Sequence, residues 1–259
     1  AFEFYNGAMG VAECQRLLAA YRQALQRDTR VLVLLGGRDF WSNGIHLNAI
    51  EAANSPADEA WANIEAMDDV VRAILTTDDR LTVAALRGNA GAGGVFLALA
   101  ADEVIAHDGV VLSPHYKNMG NLYGSEYWTY VLPRRVGEAG IPAVMQHRRP
   151  MNAAYGAELG LVDTVLHARG EALDTAVRRH AHDQAGDPAL AERLAAILAG
   201  DREEWSDAVT LFTPRGRRIL TLHGSRLPEP TETPGHILVF DDVTALVQAQ
   251  KEAAWGEVA

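Results

Sequence analysis

The sequence predicts a layered α/β fold followed by a small α+β segment, and three observations carry that expectation. Apolar strand-like runs at 30–35 (RVLVLL) and 81–86 (LTVAAL) alternate with segments of helical periodicity. Both runs are continuous rather than alternating, as in sheet strands covered on both faces. Each is followed by a glycine turn that opens a helix, and repeated strand–turn–helix order is how layered α/β domains are built. Beyond Gly186 the order changes to strand, strand, loop, strand and helix, an antiparallel pattern.

The elements follow in order. Residues 2–5 alternate as a strand and Asn6-Gly7 turns the chain, so the chain is expected to begin inside a domain. Residues 11–26 have apolar groups at i, i+3 and i+4, with Cys14 among them. FWSNGIHLNAIEAA reads as a turn at Asn43-Gly44 leading into a helix. Ser55 is placed to cap the next helix and Pro56 to open it, with Trp61, Ile64, Met67, Val71, Ile74 and Leu75 on one face. After the strand 81–86 come a turn holding Gly88, Gly91, Gly93 and Gly94, a helix at 95–101 and a strand at 103–106. A polar-aromatic stretch then carries Tyr116, Tyr123, Glu126 and Tyr127.

Residues 128–132 continue from that stretch, and PRRVG turns the chain at Pro133. A short helix at 153–159, a turn and strand in LGLVDTVL and a helix at 173–185 complete the first part. The tail is expected to hold a helix at 190–198, strands at 208–213, 218–222 and 237–240, and a helix at 241–259. These readings give two domains, 1–186 and 187–259, with no internal sequence repeat.

Composition narrows the function. Of 259 residues 48% are hydrophobic and 22% charged, enough to bury a full core. A net charge of −11 argues against nucleic acid as the main partner, since phosphate binding needs clustered Lys and Arg. An anionic small ligand stays open, because basic clusters such as RGRR at 215–218 act locally. A single cysteine excludes an intrachain disulfide and fits a reducing cytoplasm; with no base nearby it reads as a packed thiol. There is no apolar run of about 18 residues, so no membrane span is expected. The nine histidines show no metal-ligand spacing, and no metal site is expected.

Two turns of one type carry the chemistry. Ser42-Asn43-Gly44-Ile45 and Ala92-Gly93-Gly94 each follow a buried strand and precede a helix. Backbone N–H groups there can hold a phosphate, stabilise an oxyanion, or serve only tight helix–sheet packing. The glycine spacing at 88–94 is not GxGxxG, which argues against a dinucleotide. Two such turns can converge on one carbonyl oxygen, and their pairing favours the oxyanion reading.

The same residues resemble the crotonase (enoyl-CoA hydratase/isomerase) superfamily over about residues 1–170. SNGIHL resembles its SAGxDL segment, GNAGAGGVFLALAAD its GxxxGGGxELAxxxD segment, and LGLVDTVL the element that closes its core. The resemblance implies a β-β-α spiral core, here lacking its first strand and last helices, and coenzyme A bound as a thioester. It implies oxyanion amides from Ile45 and Gly93, and a CoA pocket from Ser42, Asn43, Gly44, Asn89 and Gly94. Phe96 and Tyr116 stand where hydratases place their two glutamates, so hydration of a double bond is not expected. His46 stands where the superfamily usually has Asp and reads as structural.

The stretch HYKNMGNLYGSEYWTYVLPRRVG, with FWSNGIHLN and SPADEAWANIEAMDDVVR, resembles the C-terminal module of the HypX/HoxX family of hydrogenase maturation factors. That resemblance implies release of carbon monoxide from formyl-CoA. A phenol or carboxyl at pocket depth can move the formyl proton to sulfur, which makes Tyr116 and Glu126, then Tyr123 and His115, the candidates; the other reading is core packing for the aromatics and a surface helix position for Glu126. In that family a separate module supplies the formyl group, so a formyl-transfer module in trans and a homo-oligomer are the implied partners. From about residue 190 the chain resembles the PAS region and exit helix of NtrY-type sensor histidine kinases, without a phospho-acceptor box. The alternative this raises is a catalytically silent signalling or interaction module dominated by that tail.

Overall fold

Apolar runs broken by short polar turns wind residues Ala1–Leu190 into a spiral, while Ala191–Ala259 form a second unit. The computed structural model describes residues 1–115, 124–147 and 149–190 with their side chains, and 204–213, 216–226 and 236–242 as strands. In chain order the first unit begins with β1 (Ala8–Met9), α1 (Val11–Leu25), β2 (Val31–Leu35), β3 (Phe40–Ser42) and β4 (Gly44–Ile45). It continues with α2 (Leu47–Ala52), α3 (Pro56–Leu75), β5 (Leu81–Leu86), β6 (Asn89–Gly91), α4 (Gly93–Leu99), β7 (Glu103–His107) and β8 (Val111–Ser113). It closes with α5 (Trp128–Val136), α6 (Ile141–Met145), β9 (Met151–Asn152), α7 (Ala153–Glu158), β10 (Thr164–Leu166) and α8 (Gly170–Gly186).

The winding is regular. Each turn of the spiral places one strand in a first sheet, ordered β10-β7-β5-β2, and the next in a second sheet, ordered β3-β6-β8-β9. All neighbours in the first sheet are parallel; in the second only β8 and β9 run antiparallel. The pairs β2–β3, β5–β6 and β7–β8 are therefore one structural unit used three times. The repetition is invisible in the sequence because only polarity and turn position recur, not residue identity. It is the β-β-α spiral that the resemblance implied.

Burial explains the strands. All six residues of β5, inside the first sheet, are buried. β2 alternates between buried and half-buried residues, unlike the doubly covered strand expected, because it lies at the sheet edge. On α3 the buried face is Ala60, Asn63, Met67, Val70, Val71 and Ile74, so Trp61 and Ile64 lie at its margin.

Three local expectations in this unit need correction. Residues 2–5 form no strand: Phe2 makes one backbone bond, its amide donating to the Leu35 carbonyl at 2.9 Å. A single 3-10 turn at Tyr5–Gly7 follows, with Asn6 and Gly7 at positive φ, and the alternation of Phe2 and Phe4 reflects packing instead. Residues 89–91, read as part of a glycine turn, form strand β6 between β3 and β8. α5 runs through Pro133 to Val136, giving up the bond that proline lacks, because Val131 and Leu132 are fully buried and Gly137 supplies the stop.

In the second unit β11 (Glu204–Thr213), β12 (Gly216–Arg226) and β13 (His236–Asp242) form an antiparallel sheet in the order β11-β12-β13. Asp241 and Asp242, expected in a helix, extend β13 because they pair with Thr221 and Leu220. The rest of that predicted helix, 243–259, and residues 191–198 of the one before it lie outside the described residues.

Candidate active site

The two glycine turns meet. Gly44 has φ +81°, and a Cβ placed on it would lie 3.1 Å from the Gly93 nitrogen. A Cβ on Gly94 would lie 2.1 Å from the Ser42 carbonyl oxygen, so the two backbones touch with no room for a side chain. The buried Trp41 indole N–H donates to the Gly94 carbonyl at 2.9 Å. Ser42 Oγ accepts the Gly44 amide at 3.0 Å and donates to the Gly7 carbonyl at 3.3 Å. On the other side β4 pairs in parallel with β1, and the Asn43 amide donates to the Gly7 carbonyl at 2.7 Å.

α3 clamps this junction. The buried Asn63 amide group donates to the Met9 carbonyl at 2.6 Å and its oxygen accepts the His46 amide at 3.1 Å. One side chain thus joins the ends of β1 and β4. His46 Nδ1 accepts the Ala49 amide at 3.1 Å and caps α2.

A carboxyl group sits on the second turn. Glu126 is 1% exposed, and its Oε1 would be 1.9 Å from a Cβ on Gly93. Its Oε2 accepts the Ser125 amide at 3.2 Å, and its own amide donates to Asp68 Oδ1 at 2.7 Å. Glu126 and Tyr127 both hold left-handed backbone, at φ 57° and 51°. Such non-glycine residues cost about 1–3 kcal/mol each, and this turn persists because its neighbours hold it. Phe96, fully buried, lies on α4 three residues beyond Gly93, with its ring centroid 6.2 Å from that of Trp128. The carboxyl therefore faces the backbone at the start of α4.

Electrostatics follow from that burial. Asp68, partly buried, has its carboxyl pushed up to about 8, first by burial and then by the neighbouring Glu126 charge. The Cys14 thiol is pushed up to about 12, again by burial first and then by Glu126. Cys14 is fully buried and stays a thiol at neutral pH, which suits the packed role expected of it.

Of the residues singled out in the sequence, Gly44, Ile45, Gly93 and Glu126 come together at the junction of the two turns. Ser42 and Gly94 are buried beside them and use their polar groups in the packing just described. Asn43 is exposed, its amide group donating to the Asn6 carbonyl at 3.0 Å. Asn89 stands apart at the start of β6, accepting the Val111 amide at 2.9 Å. His115 follows the end of β8, and its Nδ1 is buried with no partner among the described residues. Tyr116 and Tyr123 lie outside the described residues.

Asp68 and Asn63 were missed by sequence reasoning. Asp68 had a signal: with Ile64 and Val71 it forms an i, i+4, i+7 row, placing an acid inside an apolar ridge. Asn63 had none, since a polar residue between helical apolar positions reads as solvent-facing until its partners on β1 and β4 are known. Among the described residues no cluster of His, Cys, Asp and Glu could hold a metal ion. Among them also no helix is long and apolar enough to cross a membrane.

Comparison with known proteins places this geometry. The family model for enoyl-CoA hydratase/isomerase matches residues 8–205. The chain is similar to the hydrogenase maturation factor HoxX of Bradyrhizobium diazoefficiens, at 60% identity over 197 residues, covering 76% of this chain and 34% of that protein. Among solved structures it is similar to HypX from Aquifex aeolicus in complex with tetrahydrofolic acid, with a TM-score of 0.73 and 49% identity. That match covers 75% of this chain and 35% of HypX. Enoyl-CoA hydratase from Thermoplasma volcanium matches with a TM-score of 0.63 and 26% identity, over 74% of this chain and 75% of that one. The chain thus spans about a third of the length of the maturation factors it resembles.

Proposed function

Since the chain belongs to the enoyl-CoA hydratase/isomerase family, we propose that it binds an acyl-CoA thioester and releases carbon monoxide from formyl-CoA. The observation that carries this reading is the Glu126 carboxyl, buried in a left-handed turn directly against Gly93. The 60% identity to a hydrogenase maturation factor supports the choice of reaction, and Phe96, fully buried where the family resemblance puts a catalytic glutamate, argues against hydration.

In this reading the formyl oxygen sits between the Ile45 and Gly93 amides, which draw electron density from the formyl carbon. The Glu126 carboxylate takes the formyl proton. The electron pair left on carbon expels the thiolate as the C–S bond breaks, giving carbon monoxide. The proton then passes to sulfur to form coenzyme A, directly from Glu126 or through Tyr116. Formyl-CoA goes in and carbon monoxide and coenzyme A come out, with no oxidant or reductant. Supply of the formyl group falls to a region outside these 259 residues or to a partner.

The test is calorimetry with coenzyme A followed by gas detection of carbon monoxide from formyl-CoA. Binding with gas release is expected, and Glu126→Gln is expected to keep binding while lowering release by a factor of about 100 or more. Binding without any carbon monoxide from the parent chain would exclude the decarbonylation. Silence in both assays, with dimerisation through the PAS-like tail, would favour the interaction module instead.

A further inference from the structure

Helix α3 contributes a group to the candidate site that the proposed chemistry has not yet used. Asp68 accepts the Glu126 amide at 2.7 Å, and no other hydrogen bond to its carboxyl occurs among the described residues. The bond fixes the backbone of the residue whose carboxyl meets Gly93, at the point where the chain is left-handed for two successive residues.

We propose that Asp68 is a positioning residue: its bond to the Glu126 amide holds the left-handed turn that seats the Glu126 carboxyl on Gly93, and it does so as a neutral carboxyl. The catalytic meaning of the bond rests on the formyl-CoA reading, whereas the neutral carboxyl does not. Cys14 of α1 is a neutral thiol that feels the charges of Glu126 and Glu13. On α3, Asp69 and Arg72 act on Asp68 with opposite signs and are paired with each other. Burial first and then the Glu126 charge disfavour the ionised form of Asp68, so with its carboxyl raised to about 8 it keeps its proton at neutral pH.

The experiment uses the whole chain and two readouts. The first is the infrared carbonyl band of a protonated buried carboxyl, followed against pH in the parent, Asp68→Asn and Glu126→Gln. The parent is expected to show a band that titrates near pH 8. Asp68→Asn is expected to lose that titration, and Glu126→Gln to move it down by roughly one unit or more. The second readout is kcat and KM for carbon monoxide release. Asp68→Ala is expected to lower kcat about tenfold or more with KM within about twofold, as loss of geometry at a reacting group does. Asp68→Asn, which keeps an acceptor oxygen, is expected to retain several-fold more of kcat than Asp68→Ala.

A parent with no carboxyl titrating between about pH 6 and 9 would overturn the neutral Asp68 carboxyl. Equal kcat in the Asn and Ala variants would overturn the positioning bond. If Asp68→Ala fails to fold, the infrared series in Asp68→Asn and Glu126→Gln decides whether Asp68 is the neutral carboxyl beside Glu126. If the parent releases no carbon monoxide, the formyl-CoA reading falls and the same infrared series still decides the state of Asp68.

Discussion

Glu126 is a buried acid whose carboxyl occupies the space that any side chain at position 93 would need. Gly93→Ala would put its Cβ 1.9 Å from Glu126 Oε1, so the carboxyl or the turn must move. The expected result is a fall in kcat of about 100-fold, the size seen when one oxyanion donor or its partner is displaced, with calorimetry still detecting coenzyme A. Asp68 sets a pH dependence of stability whose sign follows from its raised folded-state value. The neutral carboxyl is favoured in the fold, so the stability it contributes is fully present below about 4, the ordinary aspartate range, and is lost as pH rises toward about 8. Melting temperature should therefore fall between about pH 5 and 8 in the parent, and fall less in Asp68→Asn; the reverse order would contradict the assignment. Glu126 could be picked out from the sequence because its neighbours are a tyrosine-rich segment with a family counterpart. Asp68 sat in plain view in α3 and became meaningful only once the turn carrying Glu126 was seen to land on it.

At the scale of elements, the site is a junction between strand ends rather than a pocket in one element. β4 is two residues long, and β1 is equally short. Neither is self-sufficient, and Asn63 of α3 ties both together. Asn63→Ala removes a donor and an acceptor and leaves the Met9 carbonyl and His46 amide without that partner. It is expected to destabilise the chain by about 2–3 kcal/mol, read as a lower urea midpoint with unchanged slope. Gly94→Ala should cost about 1–3 kcal/mol in the same measurement, because its Cβ would meet the Ser42 carbonyl, a backbone atom that cannot rotate away. The long elements α1, α3 and β5 were legible from periodicity and apolarity. The short strands β1, β4, β6 and β8 were not, since strands of two or three residues carry no period of their own and exist by pairing with neighbours.

Across the molecule, the spiral concentrates burial at β5, which is flanked on both sides by parallel strands and has every residue buried. Hydrogen exchange should accordingly be slowest at the amides of β5 and faster at the edge strand β2, where half-buried residues alternate along the strand. Equal protection of the two strands would mean that a further segment covers the edge. The three-fold use of one β-β-α unit also explains how a pair of glycine turns from different turns of the spiral comes to lie side by side. Successive units are offset by one strand in each sheet, so the start of α4 falls next to the end of β4.

By itself the sequence determined the α/β class, the positions of the long buried elements, the two glycine turns and the candidacy of Glu126. All of these are local: they depend on apolar periodicity, on glycine where backbones approach, and on motif spacing within one stretch. Tertiary structure alone decided that the turns touch, that Asn63 clamps the ends of β1 and β4, and that Asp68 meets the Glu126 amide. It also decided that Glu126 and Tyr127 take left-handed backbone, which their side chains disfavour. These contacts join residues far apart in the chain, with Asp68 and Glu126 separated by 58 positions. Their energies come from burial and short-range charge at one point, which no window of sequence contains.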